Sequence, residues 1–253
     1  LAQFNALAAE LPAAAHPHTA AAAAELDRLS FQDWIEAHTH TPFARWYFAY
    51  FCRAVGFLGP AEPEQVSLLH VLWGQRSAPQ AEHPEQELIH GGAGALLPHL
   101  LNSLEPGTLQ LNQPVLRIQQ LGSTEPDADN GTWPVQVESP TGLHACRAVI
   151  VAMPPSQAAG IGFCPELPPD RQALHRGMTM GRCAKVLIAY ASPWWRSMGL
   201  SGLAIGDRPT IELCADSSDP RADAGVLAAF VAGHRPRSWS GLEPAARRQA
   251  VLD

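Results

Sequence analysis

The chain has 253 residues, of which 46% are hydrophobic and 16% are charged, and its formal net charge is -7. This length and apolar content suffice for the core of one large or two smaller domains and exclude global disorder. The acidic balance, without a basic stripe, disfavours nucleic acids and anionic membrane surfaces as partners. No window holds the roughly 18 uninterrupted apolar residues of a membrane span, and we expect no secretory signal at the N-terminus.

The five cysteines are odd in number and widely scattered along the chain (Cys52, Cys146, Cys164, Cys183 and Cys214). This usage predicts small buried hydrophobic side chains in a reducing, cytoplasmic compartment, without a disulfide frame or a zinc site. The histidine pairs His16/His18 and His38/His40 match no common ligand spacing, so we predict no metal site.

The N-terminal part of the chain carries mostly helical signals. Ser30 followed by Asp33 predicts a helix start with a carboxylate version of the capping box. Residues 42–55 are apolar or aromatic at nearly every position, which indicates a helix buried on most sides. Residues 64–73 predict a further apolar helix. The segment from 77 to 87 is polar and contains proline, which is typical of a loop.

At Glu87 the pattern changes from helical to extended. Residues 91–94 read Gly-Gly-Ala-Gly and separate an extended segment from a helix over 95–104. Strands are predicted over 109–119, 133–138 and 144–153, with a hairpin tip over 122–131 between the first two. The run from Ala148 to Ala152 is apolar on both faces, as in a central strand of a covered sheet.

The C-terminal part of the chain combines a short helix over 165–176 with strands over 182–190, 210–215 and 225–232, and then a helical pattern from 243 onward. Leu1 lies inside a helical pattern, and no capping glycine or turn follows the last predicted helix. We therefore expect both ends to be cuts through a larger protein.

Lys185 lies in a strand that is otherwise apolar. It either marks an exposed edge of a sheet or points into a cavity with a partner. Side chains alternate along a strand, so Lys185 shares a face with Cys183 and Leu187. A buried ammonium without a partner costs several kcal/mol, and a cavity that holds water would remove this cost.

Several common catalytic motifs are missing from the sequence. The glycine turn lacks the Gly-x-Gly-x-x-Gly spacing of the dinucleotide-binding fingerprint. The chain also has no P-loop and no Gly-x-Ser-x-Gly nucleophile elbow. Gly91 and Gly92 could let a cofactor approach the backbone, although a turn of this kind is more often structural.

A helical stretch that opens at Leu26-Asp27-Arg28-Leu29-Ser30 is followed by Val66-Ser67-Leu68-Leu69, and four further features then come in a characteristic order. They are the Gly-Gly-Ala-Gly turn at 91–94, Pro114-Val115, an apolar strand that ends in Pro154-Pro155, and Gly181-x-x-x-Lys185 before Pro193-Trp194-Trp195-Arg196. Together, over Leu26 to Asp253, they resemble the flavin-containing amine oxidase family of the monoamine oxidase type.

The resemblance implies FAD as the cofactor and assigns site residues. Val115 is similar to the family residue whose backbone meets the adenine end of FAD, and Gly91, Gly92 and Pro154 are implied as further cofactor-binding residues. Lys185 is implied as the catalytic residue, since the matching lysine of the family holds a water against the flavin N5. Leu88 departs from the family, in which many members carry a basic residue.

The implied fold is α+β or α/β, as part of an FAD-binding domain and a substrate domain with a mixed sheet flanked by helices. Residues 1–86 would form the helical part of the substrate domain, 87–162 part of the FAD-binding domain, and 163–253 the sheet part of the substrate domain. The N-terminal Rossmann unit and the C-terminal flavin-site segment of the family would lie outside this chain.

The implied function is that of an FAD-dependent oxidase that removes a hydride from a C–N bond of an amine, giving an imine and hydrogen peroxide. Its partners would be a small-molecule amine and O₂, and this portion alone would be inactive. Whether the protein forms a homo-oligomer is left open. One alternative is another flavin oxidase or desaturase of the same fold, acting on an amino acid, a polyamine or a terpenoid. Another is a non-catalytic binding protein that retains the fold.

Overall fold

A computed structural model of the chain describes residues 1–12, 16–54, 61–77, 89–121 and 133–253. The helices are α1 (Ala2–Ala9), α2 (Ala23–Arg28), α3 (Phe31–His38), α4 (Pro42–Ala54), α5 (Leu68–Ser77), α6 (Leu96–Asn102), α7 (Pro155–Ala158), α8 (Pro169–Gly177), α9 (Trp194–Ser197), α10 (Arg235–Ser240) and α11 (Pro244–Leu252). The strands are β1 (Arg117–Gln120), β2 (Val135–Ser139), β3 (Gly142–Cys146), β4 (Gly162–Cys164), β5 (Cys183–Tyr190), β6 (Ala204–Ile205), β7 (Leu213–Asp216) and β8 (Gly225–Ala232).

The chain divides into two compact units, each with its own sheet. The first unit comprises residues 1–80 and 181–253, and the second comprises residues 81–180. The sheet of the first unit has the order β5-β8-β7-β6 and is antiparallel throughout, whereas that of the second has the order β3-β2-β1-β4 with β1 and β4 parallel. Helices with one antiparallel and one mixed sheet confirm the predicted α+β fold.

The bounds of the second unit differ from the predicted FAD-binding portion over 87–162. Residues 163–180 pack with this unit, because α8 lies against α7. The loop was predicted over 77–87, but Ser77 belongs to α5. The rest of that loop, the position of Leu88 and the hairpin tip over 122–131 lie outside the described residues. The roles assigned to the two units stay predictions.

An aromatic cluster forms the core of the helical part of the first unit. Phe4 of α1 lies 5.2 to 5.8 Å, between ring centroids, from Phe31 and Trp34 of α3 and from Phe48 of α4. The predicted capping box fixes the start of α3, since Ser30 accepts from the Asp33 N–H while the Asp33 carboxylate accepts from the Ser30 N–H. Local polar pairing therefore sets where this helix begins, and burial of its apolar face stabilises it.

Two helix predictions for this region were wrong in detail. The helix predicted over 64–73 is a 3₁₀ turn, Pro63–Gln65, followed by α5, because Val66 and Ser67 extend to pair with the chain around Ser30. The predicted helix over 42–55 is present as α4, but it is not buried on most sides. Phe43 is 69% exposed, whereas Phe48 is buried. Residue hydrophobicity alone could not reveal that only one part of α4 packs on the core.

The apolar run of the second unit departs from the prediction most clearly. The predicted strand over 144–153 ends at Cys146, and residues 147–153 form no strand. Ile150 is 91% exposed, and no hydrogen bond joins the backbone of this run to other described residues. The predicted strand over 109–119 is likewise reduced to β1. A central strand needs neighbours on both edges, and the described residues supply none for 147–153.

Candidate functional site

Lys185 lies in the middle of β5, at the edge of the first unit's sheet. Cys183, Lys185 and Leu187 are exposed on one face of the strand, and Ala184 and Val186 are half-buried on the other, which is the predicted alternation. The Lys185 ammonium has no carboxylate within salt-bridge distance among the described residues. Its Nζ instead lies over the ring of Phe230, 5.6 Å from the centroid.

The composition sets Lys185 apart in a way that the sequence analysis did not use. Among the 17 Lys and Arg residues of the chain, Lys185 is the only lysine and the rest are arginines. A lysine presents a compact ammonium with three rotatable donors, whereas an arginine presents a planar fork. Position 185 therefore carries the one ammonium side chain of this sequence.

The two glycines assigned to the cofactor lie in the second unit, where they form a left-handed turn. Gly91 and Gly92 have φ values of 79° and 78°, which favour glycine, and an added Cβ on Gly92 would meet no atom within 4 Å. The turn leads through Ala93–Ala95 into α6. Its backbone at Gly92 is thus open to close approach by another molecule.

Val115 and Pro154 also belong to the second unit. Val115 makes no backbone hydrogen bond to the described residues, whereas Leu116 donates to the Glu138 carbonyl at 2.8 Å and accepts from the Gly162 N–H at 2.9 Å. Pro154 immediately precedes α7, and its carbonyl accepts from the N–H groups of Gln157 and Ala158. The backbone N–H and C=O of Val115 are thus left without a backbone partner among the described residues.

The Pro193-Trp194-Trp195-Arg196 motif has a structural role that the sequence analysis missed. Trp195 is 2% exposed, and its indole N–H donates to the Asp216 carboxylate at 2.8 Å. Arg196 Nε donates to the same carboxylate at 2.7 Å, and the N–H and hydroxyl of Ser218 donate to its other oxygen. The motif therefore ties α9 to the end of β7.

The hydrogen bonds to Asp216 change its acidity. Burial alone would raise the pKa of the carboxyl group, but the donors from Arg196, Ser218 and Trp195 favour the ionised form and hold the pKa well below its usual range. Because Gly202, at φ 77°, lies so close that a Cβ would contact both Asp216 and Trp195, this packing also requires a glycine there.

A second polar cluster, which we call the arginine–glutamate network, is buried in the first unit. Glu212 is 3% exposed and accepts two hydrogen bonds from Arg53, at 2.8 and 2.6 Å, and two from Arg235, at 3.0 and 3.1 Å. Arg53 also reaches Glu62 at 3.3 Å. The network joins the end of α4 to the segment before β7 and to the start of α10.

Glu62 extends this network to the end of β8. Its carboxylate accepts from the backbone N–H of His234 at 2.7 Å and also contacts the ring Nδ1. Burial raises the pKa of Glu62, but these hydrogen bonds and the Arg53 charge outweigh it and lower the pKa. Gly233 has φ 72°, and a Cβ there would collide with Glu62 and Arg53. In the sequence, the only hint of this cluster is Arg53, a charged residue in a helix that is otherwise rich in aromatic residues.

No group of three or more His, Cys, Asp or Glu residues that could hold a metal is found within the described ranges. In the same part of the chain, none of the helices is long and apolar enough to cross a membrane.

The sequence profile of flavin containing amine oxidoreductases matches residues 2–253. An L-amino acid dehydrogenase of Synechocystis sp. is 47% identical over 250 residues, which cover 99% of this chain and 50% of that protein. A putrescine oxidase of Kocuria rosea is 28% identical over 268 residues, covering 100% of this chain and 54% of that protein.

The solved structures give the same fold. Cyclohexylamine oxidase from Brevibacterium oxydans superposes with a TM-score of 0.81 at 24% identity, over 100% of this chain and 55% of that one. The chain spans about half the length of the curated relatives it matches. FAD is the cofactor of the family that the profile describes. The chain belongs to the flavin-containing amine oxidoreductases.

Proposed function

We propose that the protein containing this chain oxidises the C–N bond of a small amine with FAD as its cofactor. The substrate carbon would lose a hydride and its nitrogen a proton, giving an imine that water hydrolyses to a carbonyl compound and ammonia. Bound FAD would supply the two-electron acceptor for this chemistry, and O₂ would then take the electrons with two protons to give hydrogen peroxide. The observation that carries the proposal is the match of the family profile over residues 2–253.

In this proposal each of the described site residues has the role that the family resemblance implies. Val115 would hold the adenine end of FAD through its free backbone donor and acceptor, and Gly91, Gly92 and Pro154 would let the cofactor approach the backbone. Lys185 would hold a water beside the flavin. The arginine–glutamate network and the Asp216 cluster would keep the sheet that carries Lys185 rigid.

A second candidate is an amino acid as substrate. The relative that is 47% identical over nearly the whole chain is named as an L-amino acid dehydrogenase. This favours substrates with a carboxylate next to the amine carbon, and an electron acceptor other than O₂ for the flavin. The putrescine oxidase relative, at 28% identity, favours a substrate without a carboxylate.

The two candidates are separated by anaerobic reduction of the purified full-length flavoprotein. L-amino acids and simple amines are each mixed with the enzyme while the flavin absorbance is followed, and the reduced enzyme is then offered O₂ or an artificial quinone. Reduction by amines with peroxide formation supports the oxidase, and reduction by L-amino acids with quinone turnover supports the second candidate. If no amine or amino acid reduces the flavin, both candidates are wrong, which leaves a desaturase or a non-catalytic binding protein of the same fold.

Replacement of Lys185 by methionine in the full-length enzyme tests its proposed role. We expect normal folding and FAD content but reoxidation of the reduced flavin slowed about tenfold to hundredfold, because a positioned proton donor is lost. Rapid mixing of the reduced enzyme with O₂ measures this rate. Arg182→Met, which removes an exposed basic side chain beside the same strand, serves as the control. Equal reoxidation rates in the two variants would show that Lys185 is only an exposed charge at the edge of the sheet.

We further propose a reducing, cytoplasmic location, which rests on cysteine usage. All five cysteines are free in the structure, although the prediction that they are buried was wrong for four of them, because only Cys52 is buried. Burial raises the pKa of the Cys52 thiol to about 12, so it should react slowly in the native state. Thiol titration of the unreduced, denatured protein should find these five thiols unmodified. A disulfide involving any of them in peptide mapping would contradict the proposal.

A further inference from the structure

The most informative contact outside the assigned roles is that between Lys185 and Phe230. The two residues stand directly opposite each other in the antiparallel pairing of β5 with β8, so their side chains project from the same face. The ammonium lies 5.6 Å from the ring centroid, within the ~6 Å over which a cation is attracted by an aromatic face. The register of β5 against β8 therefore places the Lys185 ammonium beside the Phe230 ring.

The other neighbours of Phe230 in the sheet are small or apolar. On the same face of β8, the neighbours of Phe230 are Ala228 and Ala232, which are too small to reach the lysine head group. On its other side, Phe230 pairs with Leu213 of β7. The half-buried ring thus stands between Leu213 and Lys185 in the register of the sheet, and the two alanines beside it are buried.

The type of contact matters for what the lysine can do. A carboxylate partner would accept N–H donors of the ammonium, as Glu212 does for two arginines in the same unit. An aromatic face attracts the charge without accepting a conventional hydrogen bond, so the three donors stay available to other partners. The fold places no carboxylate beside Lys185 within the described residues, although the chain has 24 acidic residues.

We propose that Phe230 is a positioning residue that acts through Lys185, fixing the ammonium above its ring while leaving the N–H groups free to donate. The proposal rests on the proposed function for the role of Lys185, but the contact itself does not. An arginine at position 185 would place a flat, extended fork on the ring instead, which agrees with the use of the chain's only lysine here.

The contact is tested first by NMR of the full-length protein. Reductive methylation with ¹³C-formaldehyde places methyl groups on lysine amines, and the Lys185 signal is the one lost in Lys185→Arg. In the methylated protein without substitutions, we expect the Lys185 signal upfield of the signals of exposed lysines, because the ring current of Phe230 acts on it. Phe230→Leu should return the signal to the position of exposed lysines, and Phe230→Tyr should keep it upfield. A signal that lies with exposed lysines and does not move in Phe230→Leu overturns the proposal.

The functional consequence is tested by rapid mixing of the same variants. We expect Phe230→Leu to slow flavin reoxidation about threefold to tenfold, with substrate binding in the reductive half-reaction unchanged and with the rate restored in Phe230→Tyr. A structural defect alone would also weaken substrate or FAD binding, whereas a loss of positioning alone would slow reoxidation and leave both unchanged. If Lys185→Met slows reoxidation but Phe230→Leu does not, the positioning role is wrong. If Lys185→Met has no effect while the NMR shift is present, the proposed role of Lys185 fails and the contact stands.

Discussion

Replacement of Glu212 by glutamine should destabilise the protein more than any other single isosteric change in the described residues. Glu212 is 3% exposed and is the common acceptor for Arg53 and Arg235, which approach it to between 2.6 and 3.1 Å. Removing its charge leaves two guanidinium groups without their main counter-charge, at a cost of about 3–5 kcal/mol. The side-chain volume hardly changes, so no cavity contributes to this cost.

Chemical denaturation of the full-length protein, with and without bound FAD, measures this loss as a lower midpoint. Glu138→Gln is the matched control, because Glu138 forms an exposed pair with Arg117 at 3.7 Å and should cost less than about 1 kcal/mol. Similar midpoints for the two variants would show that the buried network does not stabilise the fold. Arg53→Met should resemble Glu212→Gln, since it removes a charged partner from both Glu62 and Glu212.

Replacement of Asp216 by asparagine should cause the second-largest loss. The Asp216 side chain is 12% exposed, and its carboxylate accepts from Trp195, Arg196 and Ser218. An amide can accept at one oxygen only and carries no charge for Arg196, so we expect a loss of about 2–3 kcal/mol at neutral pH. The thermal midpoint of the full-length variant should fall accordingly.

The pH dependence of this stability loss distinguishes an effect of the Asp216 charge from an effect of packing. Because the folded-state pKa of Asp216 lies below the unfolded value of about 3.9, its contribution is fully present above that value and is lost as the pH falls through the folded pKa. The difference in midpoint between the natural sequence and Asp216→Asn should therefore shrink as the pH is lowered below about 4. Asp207→Asn, at an exposed position without a hydrogen bond in the described residues, should show little difference at any pH. A difference for Asp216→Asn that does not change with pH would assign the effect to packing.

The same reasoning explains which functional residues the sequence could reveal. Lys185 was found because a single charge interrupts an apolar strand, and Gly91 and Gly92 because a run of glycines precedes a helix. Phe230, by contrast, is one aromatic residue in an apolar strand and carries no local signal. Only the register of β5 against β8 places it opposite Lys185.

Local patterns in the sequence determined where most elements lie. The capping box at Ser30 and Asp33 sets a helix start by hydrogen bonds between residues three apart, and the alternation around Lys185 sets a strand face. The order of the motifs determined the family. Such features depend on neighbours along the chain, which is why they can be recognised without a fold.

Partners distant along the chain could be decided only by the tertiary structure. Arg53 and Glu212 are 159 residues apart, and nothing in either segment predicts that burial will join them. The run over 148–152 has the composition of a central strand, but it lies exposed because strand pairing needs neighbouring backbone at both edges, which no property of the run itself can provide.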